Sequence, residues 1–196
     1  GLFLKHSFHS FITNSPVSVK PMGEISGFPV RPGLFEMNGA MALPVGVNFT
    51  IHTHSGTSCE LLLFHRNSSK PFATLPFPDE YKIGDVYSMI VFGLDIEDFE
   101  YAYRIEGPHL PKEGLIFSRD SVLLDPYARA VAGQRIWGQP RKGAYHARVV
   151  RDTFDWGDMP QSSRELSDLV IYELHVRGFT EHPSSGVRHR GTFAGL

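Results

Sequence analysis

The sequence predicts a mainly β protein with a two-layer sandwich at its centre, and three observations predict it. Apolar residues recur with a period of two over much of residues 47–124. Clusters of turn-forming residues separate these runs. No stretch between them has the periodicity of a helix.

In chain order, Val30 and Phe35 are assigned to a leading strand. Val47, Phe49 and Ile51 then alternate with Asn48, Thr50 and His52. Cys59, Leu61 and Leu63 alternate with Glu60, Leu62 and Phe64. VYSMIVF (86–92) is a third run. Phe99, Tyr101, Tyr103 and Ile105 alternate with Glu100, Ala102 and Arg104. Such alternation puts one face of each strand in a core. SGTS, NSSKP, PDEYKIGD, LDIED and EGPHLPKEG supply the turns. Asp125 precedes Pro126, which keeps it out of the helical region and ends the strand there. Its carboxylate is placed to accept from amides of the following turn, with Tyr127 and Arg129 fixing the exit. These signals delimit a sandwich at 29–130, preceded by an unassigned extension at 1–28.

Residues 131–166 read as a connector. Gly133, Gly138, Pro140, Gly143, Gly157 and Pro160 punctuate it, yet Ile136, Trp137, Tyr145, Phe154 and Trp156 are too apolar for a free linker. At 167–196 the character changes. DLVIYELHV (168–176) is almost continuously apolar, as a parallel strand covered on both faces would be. A Gly- and Ser-rich loop follows, and Gly191-Thr192 resembles a helix entry with Thr192 as N-cap. A lone parallel strand has no partner, so this segment is expected to be the start of a second domain that is not in the chain.

Charge excludes several functions. Nineteen basic against 21 acidic residues give a net charge of −2, without the basic footprint of a nucleic-acid or membrane-surface partner. No run of 18 apolar residues exists to span a bilayer. The single cysteine, Cys59, permits no internal disulfide and reads as a buried apolar residue in a reducing, cytoplasmic protein. The N-terminal stretch lacks a signal-peptide pattern, so the N-x-S/T triplets at Asn48 and Asn67 read as chance matches. The first residue is Gly, consistent with a fragment at that end. His52 and His54 share a strand face, but no third or fourth ligand accompanies them. Asp152, Asp155 and Asp158 lack the donor spacing and glycine turn of a calcium loop. Neither a metal nor a cofactor is expected.

Four stretches carry a resemblance. RPGLFEMNGAMALPVGVNFTIHTHSGTSCELLLFHR (31–66) is similar to the opening of bacterial glycogen-debranching enzymes and isoamylases. FEYAYRIEGPHLPKEGLIF (99–117) and LLDPYARAVAG (123–133) resemble later stretches of the same proteins. VVRDTFDWG (149–157), LVIYELHVRGFT (169–180) and GTFAGL (191–196) resemble their junction into the catalytic barrel. The resemblance implies an immunoglobulin-like sandwich of carbohydrate-binding module family 48. After it would come the connector and the first strand of a truncated (β/α)8 barrel of glycoside hydrolase family 13. The implied substrates are α-glucans (glycogen, starch and limit dextrins), cleaved at α-1,6 branch points. The other implied partner is the missing catalytic barrel of the same polypeptide. The implied catalytic carboxylates follow barrel strands four, five and seven, so no catalytic residue can be assigned and the chain alone is expected to be inactive.

The residues agree with that expectation. Retaining glycosidases need two carboxyls about 5–5.5 Å apart in a shielded cleft that raises one pKa. Asp95, Glu97, Asp98 and Glu100 instead crowd a turn and read as a solvated acidic loop. Glu173 and His175 share one face of the expected strand, as supporting polar groups. The candidate substrate-binding residues are four. Tyr87 stands where many relatives have Trp in a "VWHGYVPG" stretch. Trp137 is a flat ring that would stack on a sugar or seal the module against the barrel. Arg177 and Phe179 follow the expected strand, at the end where barrel sites lie. Two alternatives share these features: a fragment of a glucan branching enzyme, and a stand-alone glucan-binding module that would not need the strand at 168–176.

Overall fold

The computed structural model describes residues 19–133, 145–151, 155, 157 and 164–196. The chain divides into two compact units, Gly1–Thr153 and Phe154–Leu196.

The first unit is a sandwich of two antiparallel sheets. One sheet contains β1 (Gly23–Ile25), β2 (Phe28–Pro32), β3 (Gly39–Leu43), β4 (Gly46–His52), β7 (Lys82–Ile83) and β8 (Val86–Phe92), in the order β1-β2-β8-β4-β3 with β7 also on β8. The other contains β5 (Ser58–His65), β6 (Pro71–Pro76), β9 (Phe99–Glu106), β12 (Ala130–Ala132) and β13 (His146–Arg148), in the order β12-β13-β9-β5-β6. A small hairpin, β10 (His109–Leu110) with β11 (Leu115–Ile116), lies apart from both. The period-two runs at 47–52, 59–64, 86–92 and 99–105 are all strands, as the alternation requires. The sheets are open, not closed into a barrel.

The inward sets meet as expected. Val47, Phe49 and Ile51 join Tyr87, Met89 and Val91 on one sheet, facing Cys59, Leu61, Leu63, Tyr101, Tyr103 and Ile105 on the other. Phe49 meets Tyr101 edge-on at 5.2 Å. Such pairs add about 0.5–1.5 kcal/mol beyond the area they bury.

Three features depart from expectation. Phe35 is in a turn, not a strand, because the chain leaves the sheet at Gly33 and folds across it. The outward residues Asn48, Thr50, Ser88, Leu62, Phe64 and Ala102 are buried too, so neither sheet has a simple solvated face. The sandwich is also larger than 29–130. It opens at Gly23, and β13 brings part of the expected connector into the second sheet, pairing Ala147 with Tyr101.

The buried polar set under residues 33–34 is internally satisfied. Asn48 Oδ1 accepts from the Leu34 amide at 2.8 Å, and its Nδ2 donates to Thr50 Oγ1 at 3.0 Å. Thr50 Oγ1 donates to the Leu34 carbonyl at 3.1 Å. Its proton being committed there, Ser88 is left to donate the 2.6 Å bond between the two hydroxyls.

In the second unit, the strand expected at 168–176 is not formed. Leu166–Asp168 make a single 3-10 turn, residues 169–175 have no ladder, and Val176 opens a short helix, α1 (Val176–Glu181). The reason is physical. A parallel strand is held by neighbouring strands and covered by helices, and no described strand pairs with this segment. The helix expected after Gly191-Thr192 is likewise only a 3-10 turn, Phe193–Gly195. The Thr192 hydroxyl donates back to the His189 carbonyl at 2.8 Å instead of capping it. His175 does cap α1, its Nδ1 accepting from the Gly178 amide at 2.9 Å.

Candidate functional site

The carboxylates near 95–100 fall into two environments. Asp95, Glu97 and Asp98 sit exposed on the β8–β9 turn. Glu97 is bracketed by guanidinium groups. Arg66 Nη1 donates to its carbonyl at 2.8 Å and to its Oε2 at 3.4 Å, and Arg148 Nη2 reaches the same oxygen at 3.4 Å. Glu100 is different, and the expectation of a solvated loop is corrected for it. It is 1% exposed. Its Oε1 accepts from the Asn67 amide at 2.9 Å and its Oε2 meets His146 Nδ1 at 3.0 Å. The period-two alternation that put Phe99 and Tyr101 inward also put Glu100 outward. What the sequence does not reveal is that β13 brings a histidine there, stacked on Phe64 at 3.7 Å.

Beside the turn is an open groove of about 330 Å³ lined by Ile96, Glu97, Arg148, Val149, Val150 and Arg151. A second groove, about 260 Å³, runs on from Arg151 past Asp95 to the β3–β4 turn. Guanidinium and carboxylate groups at such a rim can bind hydroxyls. They cannot do acid–base chemistry on a glycosidic bond, which needs a paired acid and base in a water-shielded cleft.

The other candidates are placed as follows. Tyr87 is 1% exposed and packs edge-on against Phe77 at 5.8 Å with Lys82 Nζ over its ring at 5.0 Å. It is a core ring and offers no face to a sugar. The pleat explains this, since Tyr87 has the inward parity of Met89 and Val91. Trp137 lies outside the described residues, as do Asp152, Asp158 and Trp156. Arg177 and Phe179 are exposed on α1 in the second unit, with Phe179 edge-on to Tyr172 at 6.1 Å. Glu173 is exposed, and with no strand formed it shares no sheet face with His175.

His54 pairs with Asp85 at 3.0 Å, and that hydrogen bond draws the Asp85 carboxyl below its usual range. No group of three His, Cys, Asp or Glu capable of holding a metal occurs among the described residues. Burial, aided by the Glu60 charge, pushes the Cys59 thiol far up and leaves it inert as a nucleophile. Asp125 accepts from the Tyr127 amide at 2.8 Å, as the sequence suggested, and also from the buried Tyr101 hydroxyl at 2.7 Å.

Comparison with known proteins agrees with this geometry. Residues 38–128 match the family described as Carbohydrate-binding module 48 (Isoamylase N-terminal domain). The chain is 34% identical over 169 residues to isoamylase SU1 of Zea mays, covering 80% of this chain and 21% of that protein. It is 32% identical over 166 residues to the glycogen debranching enzyme of Yersinia enterocolitica, covering 78% of this chain and 24% of that one. Among solved structures, the pullulanase from Paenibacillus barengoltzii in complex with maltohexaose and α-cyclodextrin aligns with a TM-score of 0.55 and 25% identity. That alignment covers 84% of this chain and 23% of the other. The chain thus spans about a fifth to a quarter of the length of the proteins it matches.

Proposed function

Because residues 38–128 match carbohydrate-binding module 48 of the isoamylase N-terminal type, we propose that this chain is the N-terminal part of a family 13 glycoside hydrolase. The whole protein cleaves α-1,6 branch linkages in glycogen, starch or limit dextrins. The observation that carries this is the extent of the similarity. It runs over 169 residues, more than the module alone supplies, and so reaches into the segments on either side or both. That favours a piece of a debranching enzyme over a stand-alone module. The relatives named isoamylase and glycogen debranching enzyme favour debranching over chain transfer.

In this reading the module is an architectural and glucan-contacting partner of a catalytic barrel. Residues 169–175 become the first barrel strand once neighbours pair with them, and Arg177 and Phe179 then lie at the strand's C-terminal end, where they rim the cleft. Exposed apolar residues of the module, among them Leu124, Tyr127 and Val131, supply a surface for the barrel to cover. A reducing, cytoplasmic location is supported by the one buried thiol, Cys59. No helix among the described residues is long and apolar enough to cross a membrane.

The test compares the full-length protein with the 196-residue chain on pullulan and glycogen. The full-length protein should release reducing ends by α-1,6 cleavage, and the chain should match a heat-killed control. Hydrolysis by the chain itself, or chain transfer without hydrolysis by the full-length protein, would overturn the proposal.

A further inference from the structure

At the edge of the sandwich, three rings from three strands stand in a row. His65 ends β5, Phe72 is on β6 and Phe28 begins β2. His65 and Phe72 stack nearly parallel, with centroids 4.3 Å apart and planes at 23°. Phe28 stands 6.5 Å from Phe72 at 47°. The row therefore crosses from one sheet to the other, and the Ser26 hydroxyl pins the two edges together by donating to the Thr74 carbonyl at 2.7 Å.

A fault in the ladder turns Phe72 into this position. Leu63 pairs with Ala73, but its neighbour Phe64 pairs with Pro71, so Phe72 is the extra residue of a β-bulge and has no partner across the strands. Bulges re-aim a side chain and concentrate beside functional sites. A regular ladder would have allowed a polar residue at this edge. Instead a phenylalanine is held 41% exposed, stacked on an exposed histidine. No hydrogen bond from a described residue engages the ring nitrogens of His65.

We propose that Phe72, His65 and Phe28 form a stacking platform for a linear α-glucan. This rests on the reading that the whole protein works on α-glucans. The chemistry fits a sugar. A pyranose presents a C–H face that packs on an aromatic ring, with hydroxyls at its rim for a nearby polar group such as the His65 nitrogens. Size argues against a protein, since a specific interface buries about 800 Å² per partner and three rings cannot provide that. A net charge of −2 argues against a nucleic acid, which would add a cationic track to its aromatic stack.

The experiment titrates the isotope-labelled 196-residue chain with maltoheptaose and follows its amide resonances. Shifts should centre on residues 28, 65 and 72. Phe72→Ala should weaken binding at least about tenfold with little change in melting temperature, and Phe72→Tyr should retain it. Should Phe72→Ala fold poorly, the wild-type shift map and Phe72→Tyr still decide the matter. The platform is overturned by shifts confined elsewhere, by unchanged affinity in Phe72→Ala, or by no binding up to about 10 mM ligand. None of these touches the debranching assignment, which stands or falls on hydrolysis by the full-length protein. Conversely, binding at these rings with a full-length protein inactive on α-1,6 linkages would keep the platform and remove the assignment.

Discussion

The Tyr101 hydroxyl donates to Asp125 Oδ2 at 2.7 Å, tying the central strand of one sheet to the Asp-Pro turn that leaves it. The other carboxylate oxygen accepts from the Tyr127 amide at 2.8 Å. Asp125→Ala takes away the acceptor of the buried Tyr101 hydroxyl proton, and the expected loss is about 1–3 kcal/mol, read from urea unfolding. Asp125→Asn keeps one acceptor and should lose less. Burial holds the Asp125 carboxyl above its usual range, against smaller downward pulls from Tyr101 and Tyr127. The neutral form therefore favours the fold. That contribution is full below the unfolded value of about 3.9 and is lost as pH rises through the folded value. Wild type should accordingly lose stability relative to Asp125→Asn as pH climbs from about 4. A difference that is flat, or of opposite slope, would remove the assignment.

Glu100 and His146 form a second buried link, 3.0 Å apart and both under 3% exposed. Glu100→Ala removes the buried acceptor of the Asn67 amide and the contact with His146 Nδ1, and should cost about 1–3 kcal/mol. The double variant Glu100→Ala/His146→Ala should cost less than the sum of the single changes, by about 0.5–3 kcal/mol. β13 meets β9 at the register pair Ala147 and Tyr101. Hydrogen exchange should therefore speed up at 146–148 before it does at 59–63. Simple additivity of the two substitutions would mean that the pair does not act as a unit.

Much of this fold is legible in the sequence, for a reason visible at Phe49 and Tyr87. Each lies in a run where side chains alternate across the pleat, and parity alone sends both to the core. Parity fails where the other face is also covered. Asn48, Thr50 and Ser88 read as solvated, yet residues 33–34 lie over them. That covering depends on pairing across many intervening residues, which local pattern does not encode. The same limit explains the sites. Tyr87 stands at a motif position that suggests a sugar contact, although its parity sends it into the core. Phe72 carries no signal in its neighbourhood, because the bulge that exposes it is a property of two strands together.

Gly33 is where the covering segment comes closest to the sheet. Its amide donates to the Ser88 carbonyl at 3.1 Å, and a Cβ there would meet Ser88 Oγ and come within 2.6 Å of the Met89 backbone nitrogen. The backbone atom cannot rotate away. Gly33→Ala should therefore destabilise by about 1–3 kcal/mol, with a drop in the urea midpoint. An unchanged midpoint would show that residues 33–34 lift off at little cost.

Residues 169–172 put the whole-protein reading at risk most directly. Val170 is 99% exposed, with Ile171 at 78% and Tyr172 at 74%. Burying each such side chain is worth about 1.5–3 kcal/mol, and this chain realises almost none of it. In the 196-residue chain, Val170→Asp and Ile171→Asp should therefore change stability by no more than about 0.5 kcal/mol, and amides 169–175 should exchange as fast as free loop. If the full-length protein pairs this segment within a barrel, the same substitutions bury an unpaired charge and should abolish folding or activity. The same amides should then be among the protected ones. Substitutions harmless in both forms would mean that 169–175 is a surface segment and that the second domain is built without it.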